Sequence, residues 1–175
     1  RPLLRFYVSI PRFSTFDLIL EKLTELGVQQ VTPMVSENSF VRNSSKVSDS
    51  KFQRWQRIIK GASQQSGRPQ LMTLNPVRPL KEIFEAVTAE TPTKVLNVFP
   101  YEGACERTLK SQLRESSLGS LEAVNVFVGS EGGFSTREVE QAQNQGMTPV
   151  SLGEQILRVE TACVALASIL KYEAR

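Results

Sequence analysis

Two short runs of the chain constrain its fold more than anything else. Val95-Leu96-Asn97-Val98-Phe99 and Val124-Asn125-Val126-Phe127-Val128 are apolar at nearly every position instead of at alternate ones. A strand with one wet face alternates, whereas a strand covered on both faces does not. These runs therefore suit central, buried strands. Segments with helical spacing of apolar residues lie between the strand-like runs. Strands that alternate with helices point to a mostly parallel sheet with helices on both faces.

The other elements follow the same alternation. Leu3 to Ile10 reads as a strand. Ser14 or Thr15 is placed to cap a helix whose apolar positions are Phe16, Ile19, Leu20, Leu23 and Leu26, with Gly27 ending it. Val31 to Val35 is a strand candidate, and Pro33 within it argues for an edge or an irregular ending. Residues 36–50 are polar and read as a surface loop. A helix follows over 49–65, with Phe52, Trp55, Ile58, Ile59 and Ala62 as its apolar stripe. Further strands are expected over 70–74, 94–99, 123–128 and 148–152. Further helices are expected over 80–89, 105–115, 136–145 and 160–172. No linker divides the chain, so residues 1–175 are expected to form one domain.

Composition narrows the chemistry. The chain has 175 residues, an ordinary share of apolar and charged residues, and a formal net charge of +3. It has no histidine. That excludes a Ser-His-Asp or Cys-His triad and any His-ligated metal. Its two cysteines, Cys105 and Cys163, cannot build a Cys-rich metal site. They are expected to be free thiols in a reducing compartment, so no metal is expected. No stretch approaches the roughly 20 apolar residues of a membrane span. Together these features suit a cytoplasmic protein. The chain opens on Arg1 and not on Met, so a segment upstream is expected.

In an open parallel sheet, ligands bind beyond the carboxyl ends of the strands. Three irregular loops fall there. One is Pro100-Tyr101-Glu102-Gly103. The second is Gly129-Ser130-Glu131-Gly132-Gly133-Phe134, and the third is Gly153-Glu154-Gln155-Ile156-Leu157-Arg158-Val159-Glu160-Thr161. The second loop has neither the lysine of a phosphate-binding P-loop nor dinucleotide Gly-x-Gly-x-x-Gly spacing. Its glycines either turn the chain or let backbone groups approach a flat ligand such as adenine. Ser135 and Glu138 form a capping-box pattern. Ile156 and Leu157 are either an apolar wall for a ring or ordinary packing. The helix dipole explains Glu160 at a helix start but not Arg158. The exposed Arg54, Arg57 and Lys60 form either a solvated face or an RNA-facing one.

The second loop, followed by Leu152-Gly153-Glu154-Gln155-Ile156-Leu157-Arg158-Val159-Glu160-Thr161-Ala162, resembles the paired signature of the RsmE family. These are 16S ribosomal RNA uridine N3-methyltransferases of the SPOUT class. Lys22 to Val28, Pro33 with Ser36-Glu37, and Trp55 through Gln65 to Arg68 agree with it, so the resemblance covers essentially the whole chain.

The resemblance implies an alpha/beta trefoil knot that forms an S-adenosylmethionine site, and a homodimer acting on small-subunit ribosomal RNA. It implies that the family's N-terminal PUA-like RNA-binding domain is absent from this chain. Backbone groups near Val128, Gly129, Gly132, Leu152 and Gly153 would take the adenine, with Thr161 and Ala162 closing the site. Phe99, Ile156 and Leu157 would be its apolar walls, and Glu131 would take the ribose hydroxyls. Arg158 is the expected catalytic cation. Glu160 is the expected base or hydrogen-bond partner, with Glu131 second. Arg54, Arg57, Lys60 and Arg68 would face RNA. The chain departs from the family at Ser130, where Pro is usual, at Gln155, where Arg is usual, and at Gln64, where Glu is common. A SPOUT enzyme acting on transfer RNA, or an RNA-binding module without activity, are the alternatives.

Overall fold

In the computed structural model, which describes residues 1–89 and 94–174, the apolar run at Ala123–Val128 is a strand, β7, buried at all six positions. Its neighbours are β1 (Leu3–Ser9) on one side and β5 (Val95–Pro100) on the other, both parallel to it. The sheet continues from β1 to β2 (Gln30–Val35) and then to the short strands β3 (Thr73–Leu74) and β4 (Arg78–Pro79). On the other side β5 pairs β8 (Pro149–Ser151), and β8 pairs β6 (Arg107–Thr108). The order is β3-β2-β1-β7-β5-β8-β6, with β4 also on β2. Every pairing is parallel.

Alternate residues of the central strands feed two cores. Leu4, Phe6, Val8, Val124, Val126 and Val128 point to one face. There α1 (Phe13–Glu25), α2 (Asp49–Gln65), α4 (Leu109–Glu115) and α6 (Val159–Glu173) contribute Phe16, Trp55, Leu113 and Leu166, among others. Phe99 and Phe127 point to the other face, under α3 (Leu80–Thr88) and α5 (Thr136–Asn144). The sheet is thus covered on both faces, as the unbroken apolar runs require. Trp55 is fully buried and packs edge-on to Phe16, with ring centroids 4.6 Å apart.

Helix ends follow local chemistry where the signal is local. Gly27 has φ +79°, and the bonds Gly27 N–H to Thr24 O and Val28 N–H to Leu23 O close α1 in a Schellman motif. Ser48 Oγ accepts the Lys51 N–H at the start of α2. The start of α1 differs from the expected Ser14 or Thr15. Its cap is Arg12, which makes no side-chain cap bond, and the Arg12 N–H goes to the Glu131 carboxylate at 3.1 Å. A carboxylate from the β7–α5 loop, 119 residues away, thus holds the residue before the helix, and no side-chain hydroxyl caps its first turn.

Three further expectations change. Pro33 is not on an edge strand: β2 is flanked by β1 and by two short strands. Those strands pair residues 30–31 and 34–35, so the proline lies opposite the gap between them. The helix expected from Cys105 begins instead at Leu109, because Arg107 and Thr108 are taken up as β6 and Thr108 forms a capping box with Ser111. A short 3-10 turn, Ser44–Lys46, punctuates the polar loop.

Candidate active site

The loops after β5, β7 and β8 converge, because those three strands are contiguous and parallel. They border a cleft, open to solvent, between Tyr101-Glu102, Val128-Gly129-Ser130 and Leu152 through Leu157. Ala162 of α6 closes one side. A second hollow adjoins it and shares Glu102, Ser130, Gly133, Ile156, Leu157 and Val159. Arg158, Glu160, Glu131, Arg12 and Thr15 complete that second hollow.

The glycines of the β7 loop are required by close approach. A methyl group at Gly129 would stand 3.2 Å from the backbone of Gly133, which cannot move aside. Gly133 has φ +65°, and a methyl there would overlap the Glu102 carboxylate. At Gly132 it would meet Asn38 Cβ at 2.9 Å. The loop is held from outside. Asn38 Nδ2 donates to Gly132 O and Gly133 O, and Ser130 Oγ donates to Asn38 O at 2.5 Å. The Glu138 carboxylate accepts from Ser135 N–H at 2.9 Å and from Glu37 N–H at 2.8 Å. Ser130, where a proline is usual in the resembled family, therefore contributes a bond that a proline cannot make.

Of the residues expected to hold the cofactor, Val128, Gly129, Leu152, Gly153, Ile156, Leu157 and Ala162 line the first cleft. Ile156 is 79% exposed, an unusual state for an isoleucine and one that leaves an apolar wall open to a ring. Four residues fall elsewhere. Phe99 is fully buried beneath the cleft, stacked on Phe134 with centroids 4.6 Å apart, so it backs the site without walling it. Glu131 belongs to the second hollow. Gly132 faces Asn38. Thr161 is exposed on α6 and lines neither cavity.

Arg158 and Glu160 both line the second hollow. Arg158 is the residue before α6, exposed, with no ion pair among the described residues. Glu160 stands in the first turn of that helix, where the dipole favours it. Glu102, Glu131 and Glu160 thus face Arg12 and Arg158 across one cavity. Among the described residues, no group of three His, Cys, Asp or Glu side chains is placed to hold a metal.

The basic residues separate into two kinds. Arg57 and Lys60 lie exposed on α2. Arg54 is engaged with Asp17 at 2.9 Å. Arg68 folds back onto the end of α1 and donates to Thr24 O at 3.1 Å, and burial lowers its pKa. Arg12 and Thr15 line the second hollow from outside the three loops the sequence singles out, and Glu102 lines both cavities from within one of them. The rule that finds a ligand site after each strand would have reached Arg12, which follows β1.

Comparison with known proteins agrees with this geometry. A family model described as an RNA methyltransferase domain matches residues 2–171. A ribosomal RNA small subunit methyltransferase E from Aquifex aeolicus is 34% identical over 157 residues, 89% of this chain and 62% of its own length. The protein of the same name from Synechocystis is 32% identical over 93% of this chain and 51% of its own length. The chain thus spans roughly half to two thirds of the length of these relatives. The crystal structure of a ribosomal RNA small subunit methyltransferase E from Neisseria gonorrhoeae bound to S-adenosyl methionine superposes with a TM-score of 0.78. It is 28% identical and covers 98% of this chain and 66% of its own. A SpoU methyltransferase from Streptomyces viridochromogenes shares the fold at a TM-score of 0.58, with 15% identity and coverage of 98% of this chain and 60% of its own. With its fold, its three-loop cleft and a family match from residue 2 to residue 171, the chain belongs to the RNA methyltransferase domain family.

Proposed function

We propose that this chain is an S-adenosylmethionine-dependent methyltransferase that methylates N3 of a uridine in small-subunit ribosomal RNA. The observation that carries this reading is the pairing of two cavities. One is a glycine-walled, partly apolar cleft, and next to it lies a charged hollow holding Arg158 and Glu160. The names and bound cofactor of the relatives support it.

Exposed backbone at Gly129, Leu152 and Gly153, with Ile156 and Leu157 as walls, fits the adenine of S-adenosylmethionine. Glu102, at the border of the two cavities, offers a carboxylate to the cofactor's polar end. When bound, S-adenosylmethionine supplies a methyl group on a positively charged sulfur. The protein's share of the work is mainly positioning. Uridine N3 must lose its proton before it accepts a methyl group, and negative charge then gathers on the ring carbonyls. Arg158, with no ion pair among the described residues, would stabilise that charge. Glu160 is the nearest candidate to accept the proton or orient the base. Glu131 is held by the Arg12 N–H and serves less well.

Residues 1–175 form the methyltransferase domain in this reading, threaded as a SPOUT trefoil knot and working in the cytoplasm. No helix among the described residues is long and apolar enough to cross a membrane. The outer face of α6 carries Val164 and Ala165, partly open, and Ile169 and Tyr172, exposed. That stripe supports a homodimer. Of the four basic residues expected to face RNA, Arg57 and Lys60 are the two left exposed for its phosphates, since Arg54 is paired with Asp17 and Arg68 is folded onto α1.

The test is incubation of the protein with a small-subunit ribosomal RNA transcript and methyl-labelled cofactor, followed by nucleoside analysis. Label in N3-methyluridine is expected. Label only in a ribose or another base would overturn the base assignment.

A further inference from the structure

Phe40 alone of the nine phenylalanines is exposed, at 57%. Its ring meets Phe13 edge-to-face, with centroids 5.7 Å apart and planes at 78°. Phe13 in turn packs against buried Trp55 at 6.2 Å, and Lys51 Nζ lies 4.4 Å from the Phe13 centroid. The exposed ring is therefore mounted on a rigid aromatic stack.

Its place in the fold links it to the substrate side of the site. The Phe40 N–H donates to Ile10 O at 2.8 Å, two residues before Arg12, which lines the charged hollow. Asn38, two residues the other way, holds the cofactor-side loop through Gly132 O and Gly133 O. The neighbouring segments supply Arg42, two residues on, Lys46 in the same loop, Arg12, two residues past Ile10, and Lys51, which lies over the Phe13 ring. None of these is held in an ion pair among the described residues. The carboxylates of the same segment are Glu37 and Asp49, and Glu131 sits on the Arg12 amide.

We infer that Phe40 is a stacking platform for a nucleobase of single-stranded RNA beside the target nucleotide, with the surrounding lysines and arginines tracking the phosphates. An exposed aromatic ring among unpaired cations is the combination that single strands require: the ring takes a base face, and the cations take the backbone. A second protein would be expected to cover a wider apolar patch, whereas here one ring stands among charges. The inference rests on the proposed RNA methyltransferase activity, but it can fail without that activity failing.

The experiment measures binding of a fluorescein-labelled, mixed-sequence 12-nucleotide single-stranded RNA, and of a duplex of equal length, to wild type, Phe40→Ala, Phe40→Leu and Phe40→Trp. Stacking predicts that Ala and Leu both weaken single-strand binding, by roughly 5- to 100-fold. Trp should restore it, and duplex affinity should change less than twofold. S-adenosylmethionine affinity, unchanged in all variants, reports that the fold is intact. Phe40→Trp should also show fluorescence quenched by the single strand. Single-strand binding by Leu or Ala within twofold of wild type, in a protein that methylates RNA, would overturn the platform and leave the activity standing. Wild type that neither binds nor methylates RNA would overturn both. Concentration-dependent self-association abolished by Phe40→Ala, with RNA binding unchanged, would show the patch to be a protein contact instead.

Discussion

The carboxylate of Glu138 accepts the backbone N–H of Glu37 at 2.8 Å across 101 residues of sequence. Its other oxygen accepts the Ser135 N–H at the head of α5. One buried side chain therefore caps a helix and fastens the loop after β2 to the loop after β7. Replacing Glu138 with Ala is expected to cost about 2 kcal/mol, since bonds to a charged acceptor are worth roughly 1.5–3 kcal/mol and the freed amides recover part of that from water. Glu138→Gln should lose less. Urea denaturation checks the order, and equal stability of all three proteins would contradict the role of Glu138 as a latch.

Gly133 and Gly146 make a controlled pair. Both have positive φ, at +65° and +79°, so alanine at either is expected to cost about 1 kcal/mol from backbone strain. Only at Gly133 does the new methyl meet the Glu102 carboxylate; at Gly146 nothing lies within 4 Å. Gly133→Ala should therefore lose S-adenosylmethionine affinity by tenfold or more, while Gly146→Ala keeps it. Calorimetric titration of both variants decides, and parallel behaviour would remove Gly133 from the site.

Arg158→Ala is expected to lower kcat by roughly 10²- to 10³-fold, the usual effect of deleting one group that stabilises developing charge. Cofactor affinity should stay within twofold. Arg158→Lys should recover only part of the rate, because a point charge replaces a planar fork of donors. Single-turnover methylation at saturating RNA and cofactor gives the comparison. Full turnover by Arg158→Ala would remove its assigned role.

Much of this architecture is legible in the sequence because its signals are local. The apolar runs at 95–99 and 123–128 mark covered strands, Gly27 marks a helix end, and the Ser135–Glu138 capping box marks a helix start. The rest depends on partners distant in the chain. The residue before α1, Arg12, is held by Glu131 from the β7–α5 loop, and neither Ser14 nor Thr15 caps the helix. Arg68 is drawn from the surface by a carbonyl of α1. The resemblance makes Phe99 a pocket wall, yet its ring turns to the aromatic core while the next residue, Pro100, edges the cleft. The strands β4 and β6 have two residues each, too short for any periodic signal.

Cys163 predicts an alkaline weakening. It is fully buried, and burial, assisted by the charge of Glu160, pushes its thiol above the ordinary value of 9.0. In the folded protein it keeps its proton while the unfolded chain loses its own, so its contribution is complete below pH 9 and declines as pH rises beyond. The limiting slope for one such group is about 1.4 kcal/mol per pH unit. Thermal unfolding between pH 8 and 10.5 should fall more steeply for wild type than for Cys163→Ala. Identical slopes would contradict the assignment.

The central claim is that the loops after β5, β7 and β8 bind S-adenosylmethionine. Isothermal titration of the protein with S-adenosylmethionine and with its demethylated product tests it most directly. Saturable binding at about one site per chain, lost in Gly129→Val, is the predicted result. No heat of binding from a protein that is folded by circular dichroism, or binding untouched by Gly129→Val, would contradict the account.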